Sequence, residues 1–211
     1  MIRSYADFRY RVNEKYREWQ LGIETARVFR DDGFHSNADR AEYTPVPFQA
    51  LESALSGLGI TDSDEFFDYG CGKGRALVIA SLFPFRRVSG IELIPELHRR
   101  AEENLRRTER LRRCFEVEVL LGDAASHELS ESVTVVFLWN PFIGSVLDAV
   151  IGQIRASFVR RPRPLRILHL RWSEQPEPFA ACEWLSGAGS LPTWPSARPT
   201  ELNLYQTRDG G

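Results

Sequence analysis

Three short apolar runs each end on an acidic residue that sits within or beside a glycine-containing turn. The first runs into Asp68-Tyr69-Gly70-Cys71-Gly72-Lys73-Gly74, where glycines at alternate positions let the backbone turn sharply and approach a ligand without interference from Cβ atoms. The second ends in Glu92, 24 residues after Asp68, where an acid can hold both hydroxyls of a ribose. The third ends in Gly122-Asp123-Ala124. An aspartate there can accept a hydrogen bond from an adenine amino group, while the following backbone N–H reaches a ring nitrogen.

These residue types describe a nucleoside site, and their charges discriminate among nucleosides. Dinucleotide folds use G-x-G-x-x-G and hold a pyrophosphate at the helix N-terminus. Here the third glycine comes one place early and an aspartate precedes the first, which would repel a pyrophosphate. No Gly-Lys-Ser/Thr closes the loop, so a P-loop is excluded. S-adenosylmethionine carries a sulfonium and an ammonium and no phosphate, and suits a pocket bordered by Asp68, Glu92 and Asp123. Lys73 and Arg75 weigh mildly against this unless they point to solvent.

The elements that must position these residues alternate. Glu65 to Tyr69, Arg87 to Ile91, Phe115 to Leu121, Val133 to Trp139 and Leu165 to Leu170 read as strands, the fourth apolar enough for a sheet centre. Between them, Arg75 to Phe83, a segment opened by Pro95 with Leu97, Ala101 and Leu105 every fourth residue, and Val146 to Phe158 read as helices. Phe48 to Leu58 is a further amphipathic helix, stopped at Gly57 and Gly59. This alternation predicts a doubly wound, mostly parallel α/β sheet with its crevice at the carboxyl ends of the strands. Glu201 to Thr207 reads as a closing strand after a tail interrupted by Pro176, Pro178, Pro192, Pro195 and Pro199. Upstream, Asp7 to Glu18 predicts a charged helix with Phe8, Tyr16 and Trp19 nearby, followed by a polar turn-rich segment. The expected division is an N-terminal helical arm or cap over 1–43 and a catalytic domain over 44–211.

The chain has 211 residues, 43% hydrophobic and 27% charged, with a formal net charge of −2. This composition excludes disorder, collagen and coiled coil, and supplies no global field toward phosphate backbones or membranes. Nucleic acid is therefore not an expected partner, and no apolar stretch is long enough to span a bilayer. Three scattered cysteines, Cys71, Cys114 and Cys182, form no disulfide framework, and no His, Cys or acid grouping has metal-ligand spacing. A reducing, cytoplasmic setting and no metal are expected.

Asp68 to Gly74, Glu92 and Gly122-Asp123-Ala124 together resemble the first three motifs of class I S-adenosylmethionine-dependent methyltransferases, in order and spacing, across about Thr44 to Val159. The resemblance implies a seven-strand Rossmann-like sheet with its last strand inserted antiparallel beside the fifth. It also implies a glycine loop (Gly70, Cys71, Gly72) that holds the methionine part of the cofactor, Glu92 on ribose, and Asp123 and Ala124 at adenine. Leu21 to Thr25 together with Tyr43-Thr44-Pro45 is similar to the N-terminal arm of small bacterial members of unassigned substrate. The Tyr-x-Pro also resembles the entrance of seven-strand protein-lysine methyltransferases, which adds Tyr43 to the candidate site. Trp139-Asn140-Pro141-Phe142 resembles, one proline short, the motif of methyltransferases acting on amino nitrogens. There the side-chain oxygen and a backbone carbonyl orient the amine toward the methyl. Asn140 is thus a candidate catalytic residue, or a residue lining the cofactor pocket in a common Asn-Pro turn. The implied activity is N-methylation of a protein side chain or a small metabolite. A nicotinamide-dependent oxidoreductase and a non-catalytic S-adenosylmethionine-binding or partner-binding protein are the alternatives.

Three further features have two readings each. His169 is a general base or a satisfied core group. His127 sits near the adenine or faces solvent. The arginines from Arg99 to Arg113 form an RNA patch or, interleaved with Glu102, Glu103 and Glu109, an ion-paired face.

Overall fold

A computed structural model describes residues 5–26, 43–139, 142–191 and 199–208. Helix α1 (Tyr5–Leu21) leads by an extended segment toward Ala26, and the chain is described again from Tyr43, which precedes α2 (Phe48–Gly57). Then come β1 (Glu65–Tyr69), α3 (Arg75–Ser81), β2 (Arg87–Glu92), α4 (Pro95–Arg107), β3 (Glu116–Leu121), β4 (Val135–Trp139), α5 (Gly144–Arg160), β5 (Arg166–Trp172), β6 (Leu185–Leu191) and β7 (Thr200–Thr207).

The seven strands form one sheet in the order β3-β2-β1-β4-β5-β7-β6. Strands β1 to β5 pair parallel, with Asp68 opposite Gly90 and Phe137 in the register. The sheet is nonetheless mixed, because β7 runs antiparallel to both β5 and β6. Parallel neighbours need a crossover of a dozen or more residues, usually a helix. Only eight residues separate β6 from β7, so the chain returns antiparallel.

Side chains alternate across the sheet with period two, and the sequence honours this on both faces. Phe66, Val135, Phe137 and Leu168 pack with α2 and α3 through Phe48, Leu51, Leu55, Leu77 and Ile79. Phe67, Val136, Leu138 and Ile167 pack on the other side with Val150 and Ile154 of α5. Every residue of α3 is buried, so this helix is enclosed between the sheet and its neighbours. β6 (Leu-Ser-Gly-Ala-Gly-Ser-Leu) has no apolar alternation, which is why sequence periodicity passes over it. It exists by pairing with β7 at the sheet edge, around a bulge between Gly187 and Gly189.

Candidate functional site

The predicted loop lies where the topology requires, between β1 and α3 at the carboxyl edge of the sheet. Its shape is set by hydrogen bonds to the end of β2. The N–H groups of Gly70 and Cys71 both donate to the Ile91 carbonyl at 3.0 Å, and Gly74 N–H donates to Cys71 O at 2.8 Å. Glu92 completes the frame. One of its carboxylate oxygens accepts from Gly72 N–H at 2.8 Å and the other from Ile94 N–H at 2.9 Å. Gly122 N–H donates to the Glu92 carbonyl at 2.9 Å, which brings the Asp123 turn alongside. The Asp123 side chain accepts from Ala125 N–H at 3.0 Å, and Ala124 is buried beneath it.

Tyr43 roofs the loop. Its hydroxyl donates to the Thr25 carbonyl at 2.8 Å, and burial pushes its pKa upward. Gly72 has φ +55°, and a Cβ there would stand 2.4 Å from the Tyr43 ring, so both the conformation and the close approach require glycine. Trp139, at the end of β4, donates its Nε1–H to the Thr44 carbonyl at 2.7 Å and meets Trp172 edge-on with centroids 4.9 Å apart.

The electrostatics centre on Asp68. It is 3% exposed, and no described residue donates a hydrogen bond to its carboxylate. Burial, with the neighbouring Glu92 charge adding to it, holds its pKa well above the ordinary carboxylate range. Glu92 is raised as well, first by burial, with its backbone donors pulling the other way. The Cys71 thiol is buried and its pKa also raised, so it stays protonated. Two buried acids, one with no donor among the described residues, form a site that a cationic group would stabilise.

Lys73 and Arg75 do not point to solvent. Lys73 is buried with Nζ 3.3 Å from Glu24 and 5.4 Å from the centre of the Tyr43 ring. Arg75, 2% exposed, binds Glu14, Thr25 Oγ1 at 2.6 Å, Glu18 at 3.1 Å and the Val46 carbonyl at 2.9 Å, over the Phe48 ring. Asn104 of α4 joins them, donating to the carbonyls of Lys73 and Glu24 and accepting from Glu24 N–H at 3.0 Å. This cluster was missed in the sequence. Its one available signal was the pair Glu14 and Glu18, four apart on one helix face, matched to an arginine in an otherwise apolar helix start.

The structure thus brings together Tyr43, Asp68, Gly70, Cys71, Gly72, Glu92, Asp123 and Ala124. Asn140 and Pro141 lie outside the described residues, while Phe142 packs at the margin of the α5-side core. His169 is a satisfied core group: its Nδ1 meets Glu177 at 2.9 Å, its ring meets Phe179, and Glu177 also accepts from Arg171 and Asn203. His127 stacks on Phe67 with ring centres 5.0 Å apart, and burial lowers its pKa. Arg99 and Arg100 pair with Glu96 and Glu103 along α4, as an ion-paired face. Among the described residues, no group of three or more His, Cys, Asp or Glu gathers to hold a metal, and no helix is long and apolar enough to cross a membrane.

The fold resembles solved structures over much of the chain. An RNA methyltransferase from Salinibacter ruber, crystallised with S-adenosyl-L-homocysteine, superposes with TM-score 0.56 at 18% identity, over 79% of this chain and 95% of that one. The fold is that of class I S-adenosylmethionine-dependent methyltransferases. A putative RNA methyltransferase from Pyrococcus horikoshii shares this methyltransferase fold with TM-score 0.60 at 16% identity, over 92% and 96% of the two chains. Mitomycin 7-O-methyltransferase shares it too, with TM-score 0.54 at 19% identity, over 76% of this chain and 54% of that one. No family model matches the chain, and no curated protein is similar to it in sequence. Two of these three structures bear RNA in their names, so the likeness lends no support to the expectation that nucleic acid is not a partner.

Proposed function

We propose that this chain is an S-adenosylmethionine-dependent methyltransferase. The observation that carries the reading is Asp68: a buried carboxylate without a described donor, set against Glu92 beside a glycine loop. A ligand ammonium or sulfonium supplies the missing positive charge, whereas a pyrophosphate would add two anions to a pocket already destabilised by its own. The loop also argues against a nicotinamide dinucleotide, since the N–H groups of Gly70, Cys71, Gly72 and Gly74 already donate to protein acceptors.

The chain's own residues have distinct tasks in this reading. Asp68 attracts the cationic amino-acid end. Glu92 shapes the loop through Gly72 and Ile94 and keeps lone pairs for the ribose hydroxyls. Asp123 and the Ala124 N–H face the adenine, and Tyr43 closes over Gly72 and excludes water. The cofactor, when bound, supplies an activated methyl group, so the acceptor needs alignment and an available lone pair more than a strong base. The segment 1–43 acts as a cap over the 44–211 catalytic domain, tied down through Arg75. An amino nitrogen of a protein or small metabolite is the favoured acceptor, on the motif Asn140 to Phe142, with Asn140 accepting the amine's hydrogens.

Titration calorimetry with S-adenosylhomocysteine beside NADH tests the reading on the wild type, Asp68→Asn and Glu92→Gln. Tight binding of the homocysteine compound alone, weakened in both variants, is expected. Binding of NADH alone would move the protein to hydride chemistry, and binding of neither would leave the fold as a scaffold.

A further inference from the structure

The arginines of α4 and of the turn that follows it divide into two groups. Arg99 and Arg100, in the first half of the helix, are neutralised by Glu96 and Glu103. Past them, Arg106, Arg107, Arg110, Arg112 and Arg113 fall within eight consecutive residues that hold one acid, Glu109. Among the described residues none of these five is paired with a carboxylate. The acids before and after them have other partners: Glu103 is taken by Arg99 and Arg100, Glu102 lies 3.9 Å from His98, and Glu116 and Glu118 meet Arg87. In a chain whose formal net charge is −2, this is a local concentration of positive charge.

The end of the helix accounts for part of the group. Arg106 donates to the Glu102 carbonyl at 3.4 Å, Arg107 to the Gly22 carbonyl at 3.4 Å and Arg112 to the Leu105 carbonyl at 2.6 Å. Cations suit the negative end of a helix dipole, but a carbonyl accepts a bond without cancelling the charge of its donor. The Arg110 and Arg113 side chains have no hydrogen bond or ion pair among the described residues. All but the half-buried Arg112 are exposed.

The backbone under these side chains is fixed. Thr108 Oγ1 donates to the carbonyls of Asn104 and Leu105, Leu111 N–H bonds to Thr108 O at 2.9 Å, and Arg113 N–H bonds to Ser81 O at 2.8 Å. Groups held in advance lose little freedom when a ligand meets them. Two large apolar side chains stand out of the same stretch, Leu111 at 49% exposure and Phe115 at 77%. The patch also adjoins the cap: Arg107 reaches Gly22, three residues before Thr25, whose carbonyl holds Tyr43 over Gly72.

We propose that Arg106 to Phe115 is a docking surface for single-stranded RNA. Guanidinium groups bind phosphate oxygens in a two-pronged geometry, and each phosphate they neutralise releases counterions. An exposed phenyl ring stacks on an unpaired base whatever its identity. A single phosphate would use one or two of the five cations, an acidic peptide would leave the ring unused, and a bilayer asks for a longer apolar face than Leu111 and Phe115 supply. A second copy would set guanidinium against guanidinium. RNA is favoured over DNA because unpaired loops and ends are its ordinary state. Binding at this surface does not depend on the methyltransferase reading, which gives only a reason for holding RNA there.

The test is fluorescence anisotropy of a labelled mixed-sequence single-stranded RNA with the full chain at increasing salt, paired with calorimetry of S-adenosylhomocysteine. Arg106→Gln, Arg110→Gln and Arg113→Gln together should flatten the slope of log affinity against log salt by about 2, and lysine at the same three positions should keep the slope. Phe115→Ala should weaken binding about fivefold to 150-fold, the loss of one stacked base, with the slope unchanged. Every variant should keep the wild-type melting temperature and any affinity for the homocysteine compound, since all four side chains are exposed. The proposal is overturned if the wild type binds no RNA at low salt, or if the glutamine and alanine variants bind it as the wild type does. Displacement of the RNA by polyglutamate, or by vesicles of phosphatidylserine and phosphatidylcholine, as readily as by unlabelled RNA would overturn it in favour of an acidic protein or a membrane. Tighter binding of single-stranded DNA of the same sequence would overturn it in favour of DNA. RNA binding without cofactor binding would refute the methyltransferase reading and leave the surface standing, and the reverse result would do the opposite.

Discussion

Replacing Arg75 by methionine isolates the contact between the N-terminal helix and the cofactor loop. Methionine retains most of the aliphatic volume over Phe48 but removes the guanidinium that Glu14, Glu18, Thr25 and Val46 share. Glu18 keeps donors, the Thr25 and Ala26 N–H groups at 2.6 and 2.7 Å. Among the described residues Glu14 keeps only Phe48 N–H, at 3.1 Å, and it is buried. Removing one partner of a buried ion pair costs about 3–5 kcal/mol, because the remaining charge is left without compensation. For a chain of this size that corresponds to a melting temperature lower by roughly 6–20 °C. The pH dependence has a definite sign. The Glu14 pKa is already raised by burial, with Arg75 pulling against it, and loss of Arg75 raises it further. A carboxyl with a raised native pKa penalises the fold above its unfolded value, and protonation relieves the penalty as pH falls through the native value. The deficit of Arg75→Met should therefore be largest at neutral pH and shrink toward acid, and Glu14→Gln in the same chain should recover at least about 1 kcal/mol. Urea unfolding followed by circular dichroism across pH measures all of this. A loss under about 1 kcal/mol, or a double variant no better than the single, would refute the reasoning.

Asp68→Asn should weaken S-adenosylhomocysteine binding about 10- to 150-fold, the worth of a charge-assisted hydrogen bond to the ligand ammonium, as read by calorimetry. Wild-type affinity should rise with pH from the ordinary carboxylate range upward, by at most about tenfold per unit, since the ligand favours ionised Asp68 whose free pKa is raised; the variant should lose that slope. Gly72→Ala should cost about 1–2 kcal/mol for its left-handed backbone and more for the displaced Tyr43 ring, and Tyr43→Ala in the same chain should return only the second part in urea unfolding. Glu177→Gln should destabilise by about 2–4 kcal/mol at neutral pH. Because the Glu177 carboxyl is held below its ordinary pKa despite burial, chiefly by its hydrogen bond with His169, that difference should vanish as pH falls through the native value.

The five parallel strands and their crossovers were legible because burial there obeys simple periods. Val135 to Trp139 is apolar throughout since it lies between two strands and under helices on both faces, and Leu97, Ala101 and Leu105 keep a helical interval for one packed face. The cofactor loop was legible because Gly70, Gly72 and Gly74 adopt positive φ that other residues avoid. Illegible were contacts between distant segments. That Arg75 turns inward is decided by Glu14 and Glu18, some 60 residues earlier, and composition reads all three as surface charges. Likewise Leu185 to Leu191 becomes a strand only because Leu202 to Thr207 offers it an edge.

The position of β7 bears on how the chain is made. Among the described strands it is the last in chain order, yet it sits inside the sheet, between β5 and β6. At synthesis rates of about 5–20 residues per second, the roughly 35 residues from the end of β5 to the end of β7 take about 2–7 s to emerge. For that interval β5, with Ile167, Leu168 and Leu170, shows a bare hydrogen-bonding edge to every other nascent chain nearby. Arg166 and Arg171 flank those residues as charges that discourage strand-to-strand association. They later find permanent places, Arg166 beside Asp64 and Arg171 beside Glu177. A ribosome stalled before Thr200 would thus hold a chain whose loop and core have their residues but whose sheet is still open to its neighbours.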